Sequence, residues 1–372
     1  MRRRAFPTWG TTEPLPTPRC ERPFRVKPTD THRDNDRSAA AAGDDVVLVT
    51  GAAGFIGSHV CEAFLERGAA VVGLDNLDGF YSPHRKRQTI EDVRVAARDR
   101  GARFDFVELD IRQRAELVQL FNTVKPAGVV HLAARAGVRP SIAEPALYAE
   151  VNVAGTANLL EASREAGSPT RFVCASSSSV YGNNEKVPFA ETDPVEHPIS
   201  PYAATKRACE LIGHTHHHLH GLPIAMLRFF TVFGPRQRPD LAIAKFIDLI
   251  ERGQTIPMFG DGSTSRDYTF IDDIVRGVLA AYDRIANHGY RIWNLGGSRP
   301  TTLRDMIDTI AAVVGEPARV EPQPMQPGDV ERTYADIARA ADELGYAPQT
   351  SFETGVRRQY EWLRAYRELA RA

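Results

Sequence analysis

From residue 45 onward the chain alternates short apolar runs with segments in which apolar residues recur every three or four positions. Val46 to Val49 is an unbroken apolar run of strand length, and Phe55 to Arg67 then carries apolar residues at helical spacing. Ala70 to Leu74 and Phe104 to Leu109 read as strands, with a long arginine-rich stretch between them. Glu116 to Val124 reads as a helix and Gly128 to Leu132 as a strand. The alternation continues through a helix over Tyr148 to Ala166, a strand over Arg171 to Ala175, a helix over Pro201 to His220 and a strand over Ile224 to Phe229. Unbroken apolar runs are strands buried on both faces. Alternating with helices, they predict an α/β fold on a doubly wound parallel (Rossmann) sheet, here a domain over 45–230. After residue 230 prolines and glycines become frequent, which predicts a smaller, mostly C-terminal substrate-binding lobe over 231–372. The amphipathic segment Ile271 to Ile285 is expected to return to the sheet, so that 269–296 packs back on the first domain.

Residues 1–44 break the pattern. Through residue 45 the chain holds nine Lys/Arg, seven Asp/Glu and six of the 25 prolines, with no apolar periodicity. Such a segment cannot bury enough surface to offset its ordering entropy, and it reads as a disordered extension. Over all 372 residues, 46 basic side chains face 47 acidic ones, so no general field draws in nucleic acid or an anionic membrane. No apolar run of about 18 residues exists to span a bilayer. The basic start is not followed by an apolar stretch, so it is not a secretory signal. Cys20, Cys61, Cys174 and Cys209 lie far apart with no Cys-x-x-Cys, which argues against a disulfide framework and a zinc site. The expected class is a soluble, cytoplasmic protein without metal.

The chemistry concentrates at the ends of the predicted strands. The first strand runs into Thr50-Gly51-Ala52-Ala53-Gly54-Phe55-Ile56-Gly57 and then a helix. Glycines at Gly51, Gly54 and Gly57 permit a tight turn and close backbone approach to a pyrophosphate seated on the helix N-terminus. Asp75 ends the second strand, where a carboxylate accepts from an adenosine ribose diol and repels a 2′-phosphate, so NAD is expected over NADP. The competing assignment for Asp75 is a loop residue capping Asn76 and Leu77. Asp110 and Ile111, after the third strand, are placed to bracket the adenine, with a helix N-cap as the alternative for Asp110. Leu132, Ala133 and Ala134, after the fourth strand, would pass near the cofactor phosphates and ribose. Tyr202 and Lys206 are four apart on a predicted helix, so the ammonium lies beside the phenol and favours its anion. Ser176 to Ser179 end the preceding strand at the carboxyl edge of the sheet and deliver hydroxyls into the ligand crevice. Five histidines between His214 and His220 include two pairs at i, i+4 but read as a polar helix face, since no acidic partner lies nearby.

With these motifs in place, the chain resembles extended short-chain dehydrogenases/reductases of the nucleotide-sugar epimerase and dehydratase group, over about residues 46–366. Within that group it is most similar to UDP-glucuronate 4-epimerases. The likeness rests on Gly73 to Leu77, His131 to Ala134 with Ala136 to Arg139, Ser176 to Gly182, Pro201 to Leu211, Leu227 to Pro235, Arg266 to Asp273 and Pro327 to Val330. The resemblance implies NAD as cofactor and a UDP-hexuronate as substrate. It implies that Tyr202 takes the proton from the sugar 4-hydroxyl, that Lys206 assists it and binds the nicotinamide ribose, and that Ser177 holds the 4-oxygen. It also implies a diphosphate contact for Arg266, with a solvated surface arginine as the alternative, and a homodimer built on helices around 148–166 and 201–220.

Relatives that dehydrate or decarboxylate carry an acidic residue at the position of Ser179. A 4-keto glucuronate is a β-keto acid that loses carbon dioxide easily, so an epimerase has to hold the carboxylate away from the orientation that permits it. Ser178, Ser179 and Thr231 are neutral donors suited to that task, and Arg139 or Arg238 could supply charge, with phosphate contact competing for both. Thr231 and Gln326 depart from the Asn and Arg usual in UDP-galactose 4-epimerases and point away from neutral hexoses. The implied activity is therefore NAD-dependent 4-epimerisation of UDP-glucuronate. A UDP-glucose/UDP-galactose 4-epimerase, a UDP-glucuronate decarboxylase or 4,6-dehydratase, and a non-catalytic dinucleotide sensor are the competing readings.

Overall fold

The computed structural model describes residues 45–324 and 331–369. The expected extension over residues 1–44, Gln326 and the Pro327 to Val330 motif lie outside the described residues. Strands β1 (Val46–Thr50), β2 (Ala70–Asp75), β3 (Phe104–Glu108), β4 (Gly128–His131), β5 (Phe172–Ser177) and β6 (Ile224–Phe229) enter one sheet. Their connections are the helices α1 (Phe55–Glu66), α2 (Pro83–Asp99), α3 (Arg114–Val124), α4 (Val138–Ala143), α5 (Pro145–Tyr148), α6 (Gly155–Glu165) and α7 (Pro201–His220). Later elements are β7 (Thr231–Phe233), α8 (Ala242–Glu251), β8 (Thr255–Phe259), β9 (Ser265–Phe270), α9 (Ile271–Arg284) and β10 (Tyr290–Leu295). They are followed by β11 (Pro300–Thr302), α10 (Leu303–Val314), β12 (Arg319–Gln323), α11 (Ala338–Leu344) and α12 (Phe352–Leu369).

The main sheet has seven parallel strands in the order β10-β6-β5-β4-β1-β2-β3. Order reverses between β1 and β4, and in an open α/β sheet the crevice outside the carboxyl ends at such a switch point is the ligand site. Successive strand residues alternate between two cores. Val47, Val49, Val71, Val173 and Leu227 face the α1, α2 and α9 side, while Leu48, Val72, Phe172, Cys174 and Met226 face the α3 and α6 side. β1 and β4 therefore read as apolar runs because both of their faces are covered, whereas β3, at the sheet edge, carries Asp105 and Glu108 and is only partly buried.

Two elements depart from the periodicity. The arginine-rich stretch folds as α2, started by Ser82, whose hydroxyl accepts from the Arg85 N–H at 3.4 Å, with Pro83 at the first position. It buries Ile90, Val93 and Ala97 on one stripe, an apolar pattern outnumbered by exposed arginines. The expected helix over Tyr148 to Ala166 divides into α5, a π-helical turn over Ala149–Ala154, and α6. The chain beyond residue 230 contributes on both sides of the presumed boundary. α9 packs on α1, β5 and β6, and β10 forms the edge of the main sheet, whereas β7, β9 and β11 form a small separate sheet. Among the described residues no helix is long and apolar enough to cross a membrane.

Candidate active site

A cleft of about 530 Å³ runs along the carboxyl ends of the strands. At one end β1 turns into α1 so tightly that a Cβ on Gly57 would stand 2.0 Å from the Gly51 carbonyl oxygen. Gly51 itself has φ +73°, and a Cβ there would lie 2.8 Å from the Ala133 nitrogen. Gly54 caps α1 with no side-chain bond, so the first-turn N–H groups of Phe55, Ile56 and Gly57 face the cleft as helix N-terminal donors. A cradle that any side chain would fill, with donors at its floor, suits a dinucleotide pyrophosphate.

Asp75, at the end of β2, is buried. Its carboxylate accepts from Leu77 N–H at 2.8 Å and Ala53 N–H at 3.2 Å, and Lys86 Nζ stands 4.0 Å away. Burial pushes its pKa above the usual carboxylate value, against the pull of Lys86 and the two N–H groups. The loop-capping bond to Leu77 and a place on the cleft wall thus coexist in one side chain. Asn76 donates to Asp110 at 2.9 Å, and Arg112 grips the same carboxylate through Nε at 3.0 Å and Nη2 at 2.8 Å. That guanidinium fork, aided by Asn76, brings Asp110 down to about 2 despite partial burial. Ile111 packs against Gly155, where a Cβ would come within 2.5 Å of it. Leu132, Ala133 and Ala134 line the cleft after β4.

His131 stands behind that turn. Thr156 donates its hydroxyl to the Asn152 carbonyl at 2.5 Å, so His131 Nε2–H donates to Thr156 Oγ1 at 3.0 Å. Nδ1 is then the acceptor for the Thr50 hydroxyl at 2.7 Å, while Thr50 Oγ1 receives the Ala133 N–H at 3.2 Å. Burial, with Lys206 adding to it, lowers His131 to about 3 and keeps the ring neutral.

The reacting groups meet at the other end of the cleft. Ser200 caps α7 by accepting from Ala203 N–H at 3.2 Å, and Pro201 occupies the first turn. Tyr202 and Lys206 therefore stand one turn apart on a fixed helix start. Lys206 is buried and donates to the Ala175 carbonyl at 2.8 Å. Burial opposes its charge, but the Tyr202 oxygen, Cys209, Cys174 and Glu210 outweigh that and hold its pKa above the ordinary lysine value. Ser177 accepts both the Ser179 N–H, at 3.1 Å, and the Ser179 hydroxyl, at 2.9 Å. A hydroxyl has two acceptor positions and one proton, so Ser177 faces the cleft as a donor. The Ser179 proton is spent on Ser177, whereas the Ser178 and Thr231 hydroxyls line the cleft.

A buried network stands behind these groups. Glu210, one turn beyond Lys206, accepts from Ser176 at 2.7 Å and from Arg228 Nε and Nη2 at 2.8 and 2.9 Å. Arg228 also donates to the Tyr181 hydroxyl at 3.0 Å, and Tyr181 to Asn294 at 2.7 Å. Burial would raise Glu210, but Arg228, Ser176 and Arg207 together hold it below the usual value.

Arg238 and Arg266 both line the cleft. Arg238 is held by Asp240, bonds the Ala136 carbonyl at 3.2 Å and lies 4.9 Å over the Phe80 ring. Arg266 bonds the Ser265 carbonyl at 2.9 Å. Arg139 follows Gly137 and Val138 of this wall and lies 5.3 Å over the ring of Phe259. Sequence reasoning missed Phe80, Tyr81, Lys86 and Arg135, which line the cleft from the β2–α2 connection, α2 and the segment after β4. The Ser82-Pro83 start of α2 was the signal that could have found Lys86. The α7 histidines are engaged locally, His216 with the Leu160 carbonyl at 3.0 Å and His217 with the Leu222 carbonyl at 2.8 Å. Among the described residues no group of three or more His, Cys, Asp or Glu is arranged to hold a metal ion.

The family model described as GDP-mannose 4,6 dehydratase matches residues 48–359. The UDP-glucuronate 4-epimerase of Thermodesulfobacterium geofontis is 40% identical over 326 residues, 87% of this chain and 98% of that protein. UDP-glucuronate 4-epimerase 5 of Arabidopsis thaliana is 43% identical over 335 residues, covering 86% of this chain and 76% of its own. Among solved structures, UDP-glucuronic acid 4-epimerase from Bacillus cereus, in complex with UDP-glucuronic acid and NAD, superposes with a TM-score of 0.79 at 35% identity, over 86% of this chain and 99% of that one.

Proposed function

The chain belongs to the extended short-chain dehydrogenase/reductase family of nucleotide-sugar epimerases and dehydratases, and from that membership we propose that it is an NAD-dependent enzyme that interconverts UDP-glucuronate and UDP-galacturonate. The observation that carries the reading is the reacting end of the cleft: its wall includes Tyr202, Lys206 and Ser177, whose lone pairs are taken by Ser179 and whose proton is left for a ligand, and the position of a dehydrating acid is held by Ser179. Of the acidic side chains on the cleft wall, Asp75 and Asp110 border the β2 and β3 ends, and Asp78 is paired with Arg135 at 2.7 Å.

Gly51, Gly54 and Gly57 with the α1 N-terminus would hold the pyrophosphate of NAD, Asp75 the adenosine ribose, and Lys206 the nicotinamide ribose. Asn76, Asp110 and Ile111 would border the adenine. NAD, when bound, supplies a hydride acceptor at sugar C4 and returns the hydride to the opposite face. Tyr202 takes the 4-hydroxyl proton and gives it back, while Lys206 stays charged beside it. Ser177 donates to the 4-oxygen in every state of the cycle. Ser178 and Thr231 present neutral donors to the hexuronate carboxylate, and Arg238 presents charge to it. Arg266 takes the diphosphate. The tight glycine cradle and the buried Asp75 fit the cofactor on physical grounds.

We assign the active form to a cytoplasmic homodimer. α7 leaves Leu211 53% and Leu219 64% exposed, and neighbouring α4 leaves Ile142 52% exposed, an apolar face suited to a second copy. Incubating the purified protein with UDP-glucuronate and separating the products tests the activity, with UDP-galacturonate expected. Carbon dioxide and a UDP-pentose as main products would move the assignment to a decarboxylase, and turnover of UDP-glucose alone to a neutral-sugar epimerase.

A further inference from the structure

The segment that carries both Thr231 and Arg238 is held from outside the cleft by the C-terminal helix. α12 presents Gly355 and Gln359, four apart and on one face, to this segment. A Cβ on Gly355 would fall 2.6 Å from the Phe233 ring, so the helix backbone lies directly on β7. One turn on, Gln359 is 1% exposed and uses both ends of its amide. Its Oε1 accepts the Gly234 N–H at 2.9 Å, and its Nε2 donates to Gln237 Oε1 at 2.7 Å. Gln237, itself 2% exposed, passes the connection back to the Val232 carbonyl at 3.0 Å. Two buried amides thus close a ring around a backbone turn that includes Gly234 at φ +142° and Arg236 at φ +63°. The turn is closed by its own Gln237 N–H to Gly234 carbonyl bond at 3.1 Å and tied outside by Arg236 to Glu62 and by Arg85 to the Gln237 carbonyl, and the buried amide ring adds the contacts to the Gly234 N–H and the Val232 carbonyl. Thr231 precedes the turn and Arg238 follows it, both on the cleft wall.

We propose that Gln359 is a positioning residue for substrate specificity: its amide sets the Thr231–Arg238 turn, and through it the orientation in which the hexuronate carboxylate is held. The inference rests on the epimerase reading above. Replacing Gln359 with Met keeps the volume but orphans the Gly234 N–H and Gln237 Oε1, so the turn drifts to conformers that satisfy them otherwise. If the competent turn is then populated about one time in ten, apparent affinity for the hexuronate falls about tenfold. A carboxylate held loosely samples the arrangement perpendicular to the ring carbonyl. The C5–C6 bond then breaks, carbon dioxide leaves, and the electron pair moves through C5 into the C4 carbonyl, to be protonated at C5.

The test uses the full-length protein with its bound NAD. Calorimetric titration with UDP-glucuronate and with UDP alone is paired with product analysis for wild type, Gln359→Met and Gln359→Glu, the last of which keeps the acceptor for Gly234. We expect Gln359→Met to keep its NAD and its affinity for UDP, to bind UDP-glucuronate about tenfold more weakly, and to release more carbon dioxide per epimerisation. Gln359→Glu should lie between. Unchanged affinity and product ratio would overturn the inference, as would equal weakening for UDP, which has no carboxylate. If Gln359→Met fails to fold, Gln359→Glu decides by the same measures, and collapse of both variants overturns positioning in favour of plain stability. Wild-type protein that neither binds nor converts UDP-glucuronate would instead overturn the functional reading itself.

Discussion

The pair Glu210–Arg228 offers a sharp stability test, because both side chains are almost wholly out of water, at 0% and 1% exposure, and three bonds from Arg228 fix them to Glu210 and Tyr181. Arg228→Met preserves the length and apolar stem of the side chain but leaves Glu210 ionised and buried beside Ser176 and Arg207. Two opposite charges about 4 Å apart in a partly polarisable interior attract by about 4 kcal/mol. Breaking one partner of a buried pair costs about 3–5 kcal/mol, the same range from an independent direction. At roughly 2 °C per kcal/mol for a chain of this size, the melting temperature should fall by about 8 °C. The assay is urea unfolding followed by circular dichroism at fixed NAD concentration, since bound ligand adds its own stabilisation. Glu210→Gln should cost less, and the double variant Glu210→Met/Arg228→Met should recover much of the loss because the one charge left, Arg207, is partly exposed to water. A loss below about 1 kcal/mol for Arg228→Met would refute the reasoning, since water and Arg207, 3.0 Å away, would then suffice to hold the Glu210 carboxylate.

Four further outcomes follow from the same geometry. Gly57→Ala should abolish NAD retention, read by absorbance of the released cofactor, because a Cβ would overlap the Gly51 oxygen at 2.0 Å. Tyr202→Phe and Lys206→Met should each lower turnover by about 10²–10⁴ with the fold intact by circular dichroism, the scale of a lost proton-transfer group. Asp75→Ser should raise NADP affinity relative to NAD in a competitive binding titration, by removing the carboxylate that repels a 2′-phosphate. His131, lowered to about 3 by burial, stays neutral when folded but gains a proton when unfolded below its ordinary value of 6.5. Stability should therefore fall as pH drops through that window, by about 1.4 kcal/mol per pH unit, and His131→Asn should flatten the urea-midpoint change between pH 6.5 and 5.

The sheet was legible because its central strands are covered on both faces, so burial alone wrote unbroken apolar runs at Val46 to Val49 and Ile224 to Leu227. The α7 start was legible because a local Ser200-Pro201 cap precedes a clear apolar period, and the structure reproduces its bounds. α2 was hidden because its buried stripe of Ile90, Val93 and Ala97 is narrow and the surrounding arginines dominate any average. Lys86 and Tyr81, which ride on that stretch, were hidden with it. The glycine cradle and the Tyr202–Lys206 spacing are local patterns and could be read. The Ser179-to-Ser177 hydroxyl bond and the Gln359 ring could not, since the first depends on rotamers and the second joins residues more than a hundred positions apart. Periodicity says that an amphipathic segment such as α9 packs on something. It does not say that β10 follows it into the main sheet.

That last placement has a consequence for synthesis. β6 pairs with β5 on one side and with β10 on the other, yet about 60 residues separate its end from the start of β10. A ribosome adding about 5–20 residues per second leaves the outer edge of β6 without its partner for about 3–12 s. For that interval a strand apolar except for Arg228 offers unpaired N–H and C=O groups to any other extended chain, the arrangement that seeds intermolecular pairing. The nascent protein should therefore be most prone to aggregation, and most dependent on chaperones, when stalled between residues 230 and 290. Once Tyr290–Leu295 has emerged, that vulnerability closes.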